Sequence, residues 1–191
     1  MGSLRRSDES SRLTFVLMRG NSDGTFELDK RTGRILVVKK LDYELTSEYI
    51  FQVRVNDNGR HHFSVVSIDV IDENDEAPDF PEDPVYFSVS EDVPVGSAVW
   101  NLSAVDLDEG LNGLVHYNIV SQHPSQKFRI NTLTGMVYLQ ETLDYEQFKA
   151  FVIVVRATDQ ASNPSKRLNS SITIQVSIGK TINRRKTHVT K

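Results

Sequence analysis

The chain has 191 residues, 38% hydrophobic and 25% charged, with 22 Lys plus Arg against 26 Asp plus Glu and a formal net charge of −4. That length holds one ordinary domain or two small ones, and the slightly acidic balance gives nucleic acid no basis as a partner. The absence of cysteine excludes disulfides and thiolate metal sites, and no window approaches 18 uninterrupted apolar residues, so this segment is expected not to insert directly into a membrane.

In chain order, the opening MGSLRRSDES carries no apolar stretch of signal-peptide type and departs from an N-myristoylation signal at Arg6, where Ser or Thr is wanted. Residues 1–11 are read as a non-repeat amino-terminal segment, because a 102-residue internal offset sets Asp106 and Asp108 against Leu4 and Arg6. LTFVLM at 13–18 starts the strand-like sequence, LDYE stands at Leu41–Glu44, and His61-His62 is read as a solvated turn before the last strand of this part. DENDEAP, Asp72–Pro78, forms an acidic seam. Beyond it, VYFSVS (85–90), SAVWNLSAV (97–105), LVHYNIV (114–120), MVYLQ (136–140), FVIVVRA (151–157) and SSITIQVSI (170–178) alternate or are rich in β-branched residues and read as strands. Turn signals at Pro94–Gly96, Gly110–Gly113, His123–Ser125, Thr134-Gly135 and Ala161–Pro164 separate them. A short strand at Lys127–Ile130 makes about seven in roughly a hundred residues, the signature of an immunoglobulin-like antiparallel sandwich.

LDYE recurs at Leu143–Glu146, an offset of 102 residues that also carries Phe26 onto Phe128, Thr32-Gly33 onto Thr134-Gly135, Tyr49 onto Phe151, Arg54 onto Arg156 and Asp57 onto Asp159. A period this long means tandem domains. LTFVLM aligns with VHYNIV at 115–120, the third strand of the second unit, so the first unit is expected to lack its two amino-terminal strands. The last strands align with an offset of 106, which sets Asp72–Asp75 against Ile178–Thr181. The expected fold class is all-β: tandem immunoglobulin-like Greek-key β-sandwiches, a truncated repeat at 12–78, a complete repeat at 79–178 and a basic tail at 179–191. The truncated unit should leave apolar faces uncovered and one sheet edge unpaired.

Hard divalent cations such as calcium take six to eight oxygen ligands, and DENDEAP offers carboxylates, an amide and backbone carbonyls in a row. DLDEGLNG, Asp106–Gly113, is a second oxygen-rich loop, though not an EF-hand, since its fifth position is Gly110 and its twelfth Tyr117. Each piece has a plainer reading, a solvated acidic linker and an ordinary hairpin turn. Their joint occurrence with LDYE and Ala157-Thr158-Asp159 points to a metal-clamped joint.

These residues together resemble a pair of cadherin repeats over about residues 12–178. The resemblance implies a joint holding up to three Ca²⁺ ions. The upper unit would supply Asp42 and Glu44 with Asp72, Asn74 and Asp75; the lower would supply Asp106, Asp108 and Asp159, with the carbonyls of Glu73, Glu76 and Asn112 completing the shells. The final Asn of the family's linker pattern is Glu76 here. A further family Glu near the start of the upper unit matches Glu91 of the second unit and has no counterpart in the first. Asp42, Glu44, Asp75, Asp106, Asp108 and Asp159 carry six negative charges, as many as three divalent ions neutralise, and at ~5 Å each unneutralised pair costs roughly 1 to 3 kcal/mol. The basic tail supplies cations where the acids of a further joint would stand, so one calcium joint is expected and none at either end.

The resemblance further implies a segment of a cell-surface adhesion protein, outside the cell, acting in homophilic or heterophilic cell–cell adhesion with a cadherin-type partner, the same or a related chain. A non-adhesive structural spacer, or a soluble short isoform acting as a decoy, is the alternative. Asn101 and Asn169 open N-x-S/T sequons and are candidate glycan acceptors, and Trp100 is read as a core residue. No G-x-S-x-G elbow, H-E-x-x-H pair or phosphate-cradling loop suggests an enzyme.

Overall fold

The computed structural model of the chain describes residues 13–81 and 85–180, so the expectations for the opening segment and for the tail beyond Lys180 fall outside the described residues. Two compact units part between Asp72 and Glu73. Strands dominate both, and a 3-10 turn at Pro164–Lys166 is the helical element among the described residues.

Among the described residues, the second unit contains seven strands. They are β6 (Val85–Ser90), β7 (Ala98–Asn101), β8 (His116–His123), β9 (Phe128–Ile130), β10 (Met136–Leu139), β11 (Ala150–Thr158) and β12 (Asn169–Gly179). One sheet runs β6-β12-β11-β8 and the other β7-β10-β9, with β6 parallel to β12 and the remaining pairs antiparallel. Alternation explains the packing: Phe151, Ile153, Val155 and Ala157 of β11 and Ile172, Ile174, Val176 and Ile178 of β12 are buried between the sheets. Full burial of one such large side chain is worth about 1.5–3 kcal/mol. Trp100 stacks on Phe87 at 4.8 Å and 16°, and Phe128 meets Phe151 edge-on at 5.6 Å, so aromatic pairs bridge the layers as the core reading of Trp100 requires. The SAVWNLSAV strand is shorter than its pattern. It leaves the sheet after Asn101, where Leu102 N turns to Gly135 O and Ala104 N to Tyr117 Oη.

The first unit contains β1 (Thr14–Arg19), β2 (Phe26–Leu28), β3 (Ile35–Val37), β4 (Glu48–Asp57) and β5 (Arg60–Asp69), in sheets β1-β4-β5 and β2-β3. These repeat the order and pairing of β8 to β12. Phe15 pairs with Val55 as Tyr117 pairs with Ala157, and Phe26 with Val37 as Phe128 with Leu139. The bulge at Met18 recurs at Val120. Among the described residues, counterparts of β6 and β7 do not occur and β5 has no neighbour on the edge where β12 is flanked by β6.

Two expectations need correction. His61 and His62 lie within β5, opposite Asn56 and Val55, because the hairpin is only the two-residue turn Asn58-Gly59, whose φ angles of 46° and 85° are those of a type I′ turn. Asn-Gly is the strongest short-range hairpin signal, and it places both histidines in the strand that follows. Second, Phe51 pairs with Val66 while Ile153 pairs with Ile174, so the last strands are offset by 108 residues rather than 106. The extra residues lie in the long β11–β12 loop.

Side-chain caps in the first unit make it sensitive to acid. Asp29 Oδ1 accepts the amides of Arg31 and Thr32 at 2.8 and 2.9 Å, and Asn131 Oδ1 does the same for Leu133 and Thr134. The Thr32 amide, then that of Arg31, holds the Asp29 carboxyl below its ordinary 3.8, and the Thr25 hydroxyl likewise lowers Asp23. A lowered carboxyl contributes stability that is fully present above the ordinary value and is lost as pH falls through the folded-state value. The Tm of the first unit should therefore stay level from neutral pH down to about 5 and fall below about 4. Asp29→Asn, which copies the non-titrating Asn131, should flatten part of that fall in circular-dichroism melts.

Candidate functional site

The candidate acids divide between the two units. In the first, LDYE closes a turn after β3. Leu41 and Tyr43 are half-buried while Asp42 and Glu44 are exposed. Asp42 Oδ1 accepts the Leu45 amide at 2.9 Å and its carbonyl accepts Thr46 N at 3.0 Å, so this aspartate builds the turn that presents Glu44. Asp144 caps its own turn in the same way, through Glu146 N at 2.9 Å and Gln147 N at 3.3 Å. Beyond β5 the chain brings Asp72, half-buried, back to Glu44, and their carboxylate oxygens lie within 4.8 Å. Two like charges at that separation repel by about 1–3 kcal/mol at effective dielectrics between water and a protein surface.

In the second unit the linker is bonded down at three places. Asn74 Nδ2 donates to Asp159 Oδ2 at 3.0 Å and to the Lys166 carbonyl at 2.9 Å. Ser170 Oγ donates to the carbonyl of Pro78, which is itself buried. Asp79 forms a two-bond bridge with Val105, at 2.7 and 2.8 Å, that sets the end of the linker beside the Asp106 loop. Glu73, Asp75 and Glu76 are exposed, and Glu73 O accepts Asp75 N at 2.8 Å.

The DLDEGLNG loop inverts the usual burial pattern. Leu107 is 62% exposed, whereas Asp106 is half-buried and Asp108 only 7% exposed. Asp106 Oδ1 accepts Asp108 N at 3.1 Å, and Asn112 N closes the turn on Glu109 O at 3.1 Å. The return requires Gly113: a Cβ there would lie 2.0 Å from the Asp108 carbonyl oxygen. Asp159, fully buried, accepts from Ala161 N (2.9 Å), Leu168 N (2.5 Å) and Asn74. A carboxylate offers about four lone-pair positions, so three bonds leave one.

The donor set suits a hard cation. Every candidate ligand is oxygen, the Asp106 loop turns its aspartates inward while Leu107 faces out, and Asn74 Oδ1 is buried with no hydrogen-bond partner among the described residues after its amide has donated both protons. Buried polar oxygens carry a cost unless something positive meets them. Sequence reading treated Asn74 solely as a ligand and overlooked Ser170 and the Lys166 carbonyl. No local signal marks a bond between residues 85 or 92 positions apart. The sequon residues Asn101 and Asn169 are exposed at strand ends, and no helix among the described residues is long and apolar enough to cross a membrane.

A family model described as Cadherin domain matches residues 4–71 and 86–177. Protein dachsous of Drosophila melanogaster is 35% identical over 193 aligned residues, covering 92% of this chain and 6% of that protein. Protocadherin Fat 4 of Mus musculus is 33% identical, covering 88% and 4%; Protocadherin-23 of Homo sapiens is 36% identical, covering 88% and 5%. The chain thus spans only 4–6% of the length of these relatives. Among solved structures, mouse Cadherin-23 EC22-24 superposes with a TM-score of 0.77 at 28% identity, over 88% of this chain and 54% of that one. The Protocadherin GammaB4 extracellular domain gives 0.80 at 26%, over 88% and 27%.

Proposed function

This chain belongs to the cadherin family, and on that premise we propose that it is a calcium-binding pair of repeats from a cell-surface adhesion protein, with calcium stiffening the joint between the repeats. Calcium supplies the positive charge that lets Asp42, Glu44 and Asp72 share up to three ions with Asn74, Asp75, Asp106, Asp108 and Asp159. The carbonyls of Glu73, Glu76 and Asn112 add neutral oxygens. Domain limits at 12–78 and 79–178 belong to the same reading. Asp42 and Asp144 hold their turns, Asn74 ties the linker to Asp159, and Gly113 lets the Asp106 loop fold back. The role is binding rather than catalysis.

The observation that carries this reading is the Glu44–Asp72 pair, two carboxylates whose oxygens lie within 4.8 Å of each other at the end of the first unit. The two like charges repel each other; a divalent ion between them reverses the sign. Extracellular calcium modules have dissociation constants on the order of 10⁻⁴ to 10⁻³ M, so the site would fill outside cells and empty in the cytosol. That is why a cell-surface location and the function go together, and Asn101 and Asn169 would be open to glycans there.

Calorimetric titration with calcium should show two or three ions bound. At ~2 mM calcium and a Kd of ~10⁻⁴ M each ion stabilises the native chain by about 2 kcal/mol, so the Tm should rise by roughly 5–15 °C over chelator. Absence of heat at millimolar calcium would overturn the reading. Adhesion has its own measurement. Beads coated with the chain should aggregate only with calcium if it carries a partner-binding surface for the same or a related cadherin, and stay dispersed in both conditions if it is a spacer.

A further inference from the structure

The lower end of the second unit repeats the acids of the first, with Asp144 and Glu146 standing where Asp42 and Glu44 stand. Strand register identifies the residue that answers Asp72. Val70 N donates to Ser47 O at 2.8 Å, and Ile178 N donates to Lys149 O at 2.8 Å, the same bond in the two repeats. Two residues further along each chain lie Asp72 and Lys180. Where the first unit sets Asp72 against Glu44, the second sets the Lys180 ammonium in an ion pair with Glu146 Oε1.

That ammonium also lies 5.6 Å from the centre of the Tyr145 ring, and Tyr145 N donates to Glu91 Oε2 at 3.0 Å. Lys149 lies at the same 5.6 Å from that ring, but Lys180 is the cation that pairs with Glu146, and the charge of Glu91 also acts on it. The Glu146 hydrogen bond first, then the charges of Glu146 and Glu91, raise the Lys180 pKa above the ordinary lysine value, so it stays charged at any physiological pH. With side chains 56% and 69% exposed, the pair adds little to stability. Its consequence is electrostatic. Relative to the Glu44–Asp72 pair, one carboxylate ligand is lost and one positive charge gained, a change of two charge units at a single position.

We propose that Lys180 is a built-in counter-ion that stands in for calcium among the lower acids of the second unit, Glu91, Asp144 and Glu146, and makes this end of the repeat indifferent to calcium. The proposal rests on the reading of these acidic sets as calcium ligands. It goes beyond that reading by making the chain asymmetric, with a calcium-dependent set around Asp72 and a lysine-neutralised set around Glu146.

Calcium titrations of the full chain and three variants test it, with Trp100 emission and far-ultraviolet dichroism confirming that each folds. Glu146→Gln should leave the number of ions bound unchanged and affinity within about twofold. Lys180→Asp should add one ion, with a Kd on the order of 10⁻⁴ to 10⁻³ M, and the double variant should lose it again. A drop in stoichiometry for Glu146→Gln, or no added ion for Lys180→Asp, would overturn the proposal. If the natural chain binds no calcium while Lys180→Asp gains an ion, the joint reading fails and this one stands. If the natural chain binds and Lys180→Asp gains nothing, the reverse holds.

Discussion

Replacing Asp159 by Ala is expected to lower the stability of the second unit by about 3–5 kcal/mol in the presence of chelator, before any ion is involved. Its carboxylate is fully buried and accepts from Ala161 N, Leu168 N and Asn74 Nδ2. Removing it orphans donors that hold both the long β11–β12 loop and the linker, and each unsatisfied buried donor costs about 1–3 kcal/mol. Glu44→Gln provides the contrast. Glu44 is exposed and faces the like charge of Asp72, so neutralising it should be neutral or slightly stabilising in chelator and destabilising in calcium. Denaturant titrations of both variants with and without calcium separate the structural acid from the purely electrostatic one. An Asp159→Ala protein as stable as the parent in chelator would contradict the hydrogen-bond account.

Phe51→Ala and Phe151→Ala should each cost about 3–5 kcal/mol and yet have different outcomes. Among the described residues, the buried hydrophobic side chains of the first unit are Phe26, Phe51 and Val53, and Phe51 meets Phe26 edge-on at 4.9 Å. Among the described residues, the second unit buries seventeen hydrophobic residues in one cluster, where Phe151 meets Phe128 and Phe148 edge-on. A unit with so small a core has little stability to spare, so Phe51→Ala should unfold the first unit at 25 °C. Phe151→Ala should leave the second folded with a lower Tm. The one tryptophan, Trp100, belongs to the second core and reports it alone, whereas far-ultraviolet dichroism reports both units. Phe51→Ala should therefore lose strand signal while the Trp100 transition keeps its midpoint; a Trp100 midpoint that shifts as far as in Phe151→Ala would show that the units unfold as one.

Much of the fold was legible before any coordinates. A half-buried strand alternates with period two, and a one-residue slip would turn every apolar side chain to solvent, so runs such as ITIQVSI can pair in only one way. That is why the 102-residue period in the sequence reappears as identical register in β1/β4 and β8/β11, down to the bulge at Met18 and Val120. Turn chemistry is equally local: LDYE closes with its own aspartate, and Asn58-Gly59 makes a hairpin that shortens the connection and changes the offset of the last strands.

The candidate acids were visible as residue types and as loop positions. Their division of labour was not. Asp159 and Asn74 are 85 residues apart, Ser170 reaches Pro78 across 92, and Lys180 answers Glu146 across 34. Such bonds form only after the sheets have packed and brought distant loops together, and loop closure leaves no trace in neighbouring residue types. Periodicity and turn chemistry, which act over a few residues, specified strands, repeat and register. Which oxygens hold the structure, and which acid is answered by a lysine instead of an ion, emerged from contacts that exist only once the chain is folded.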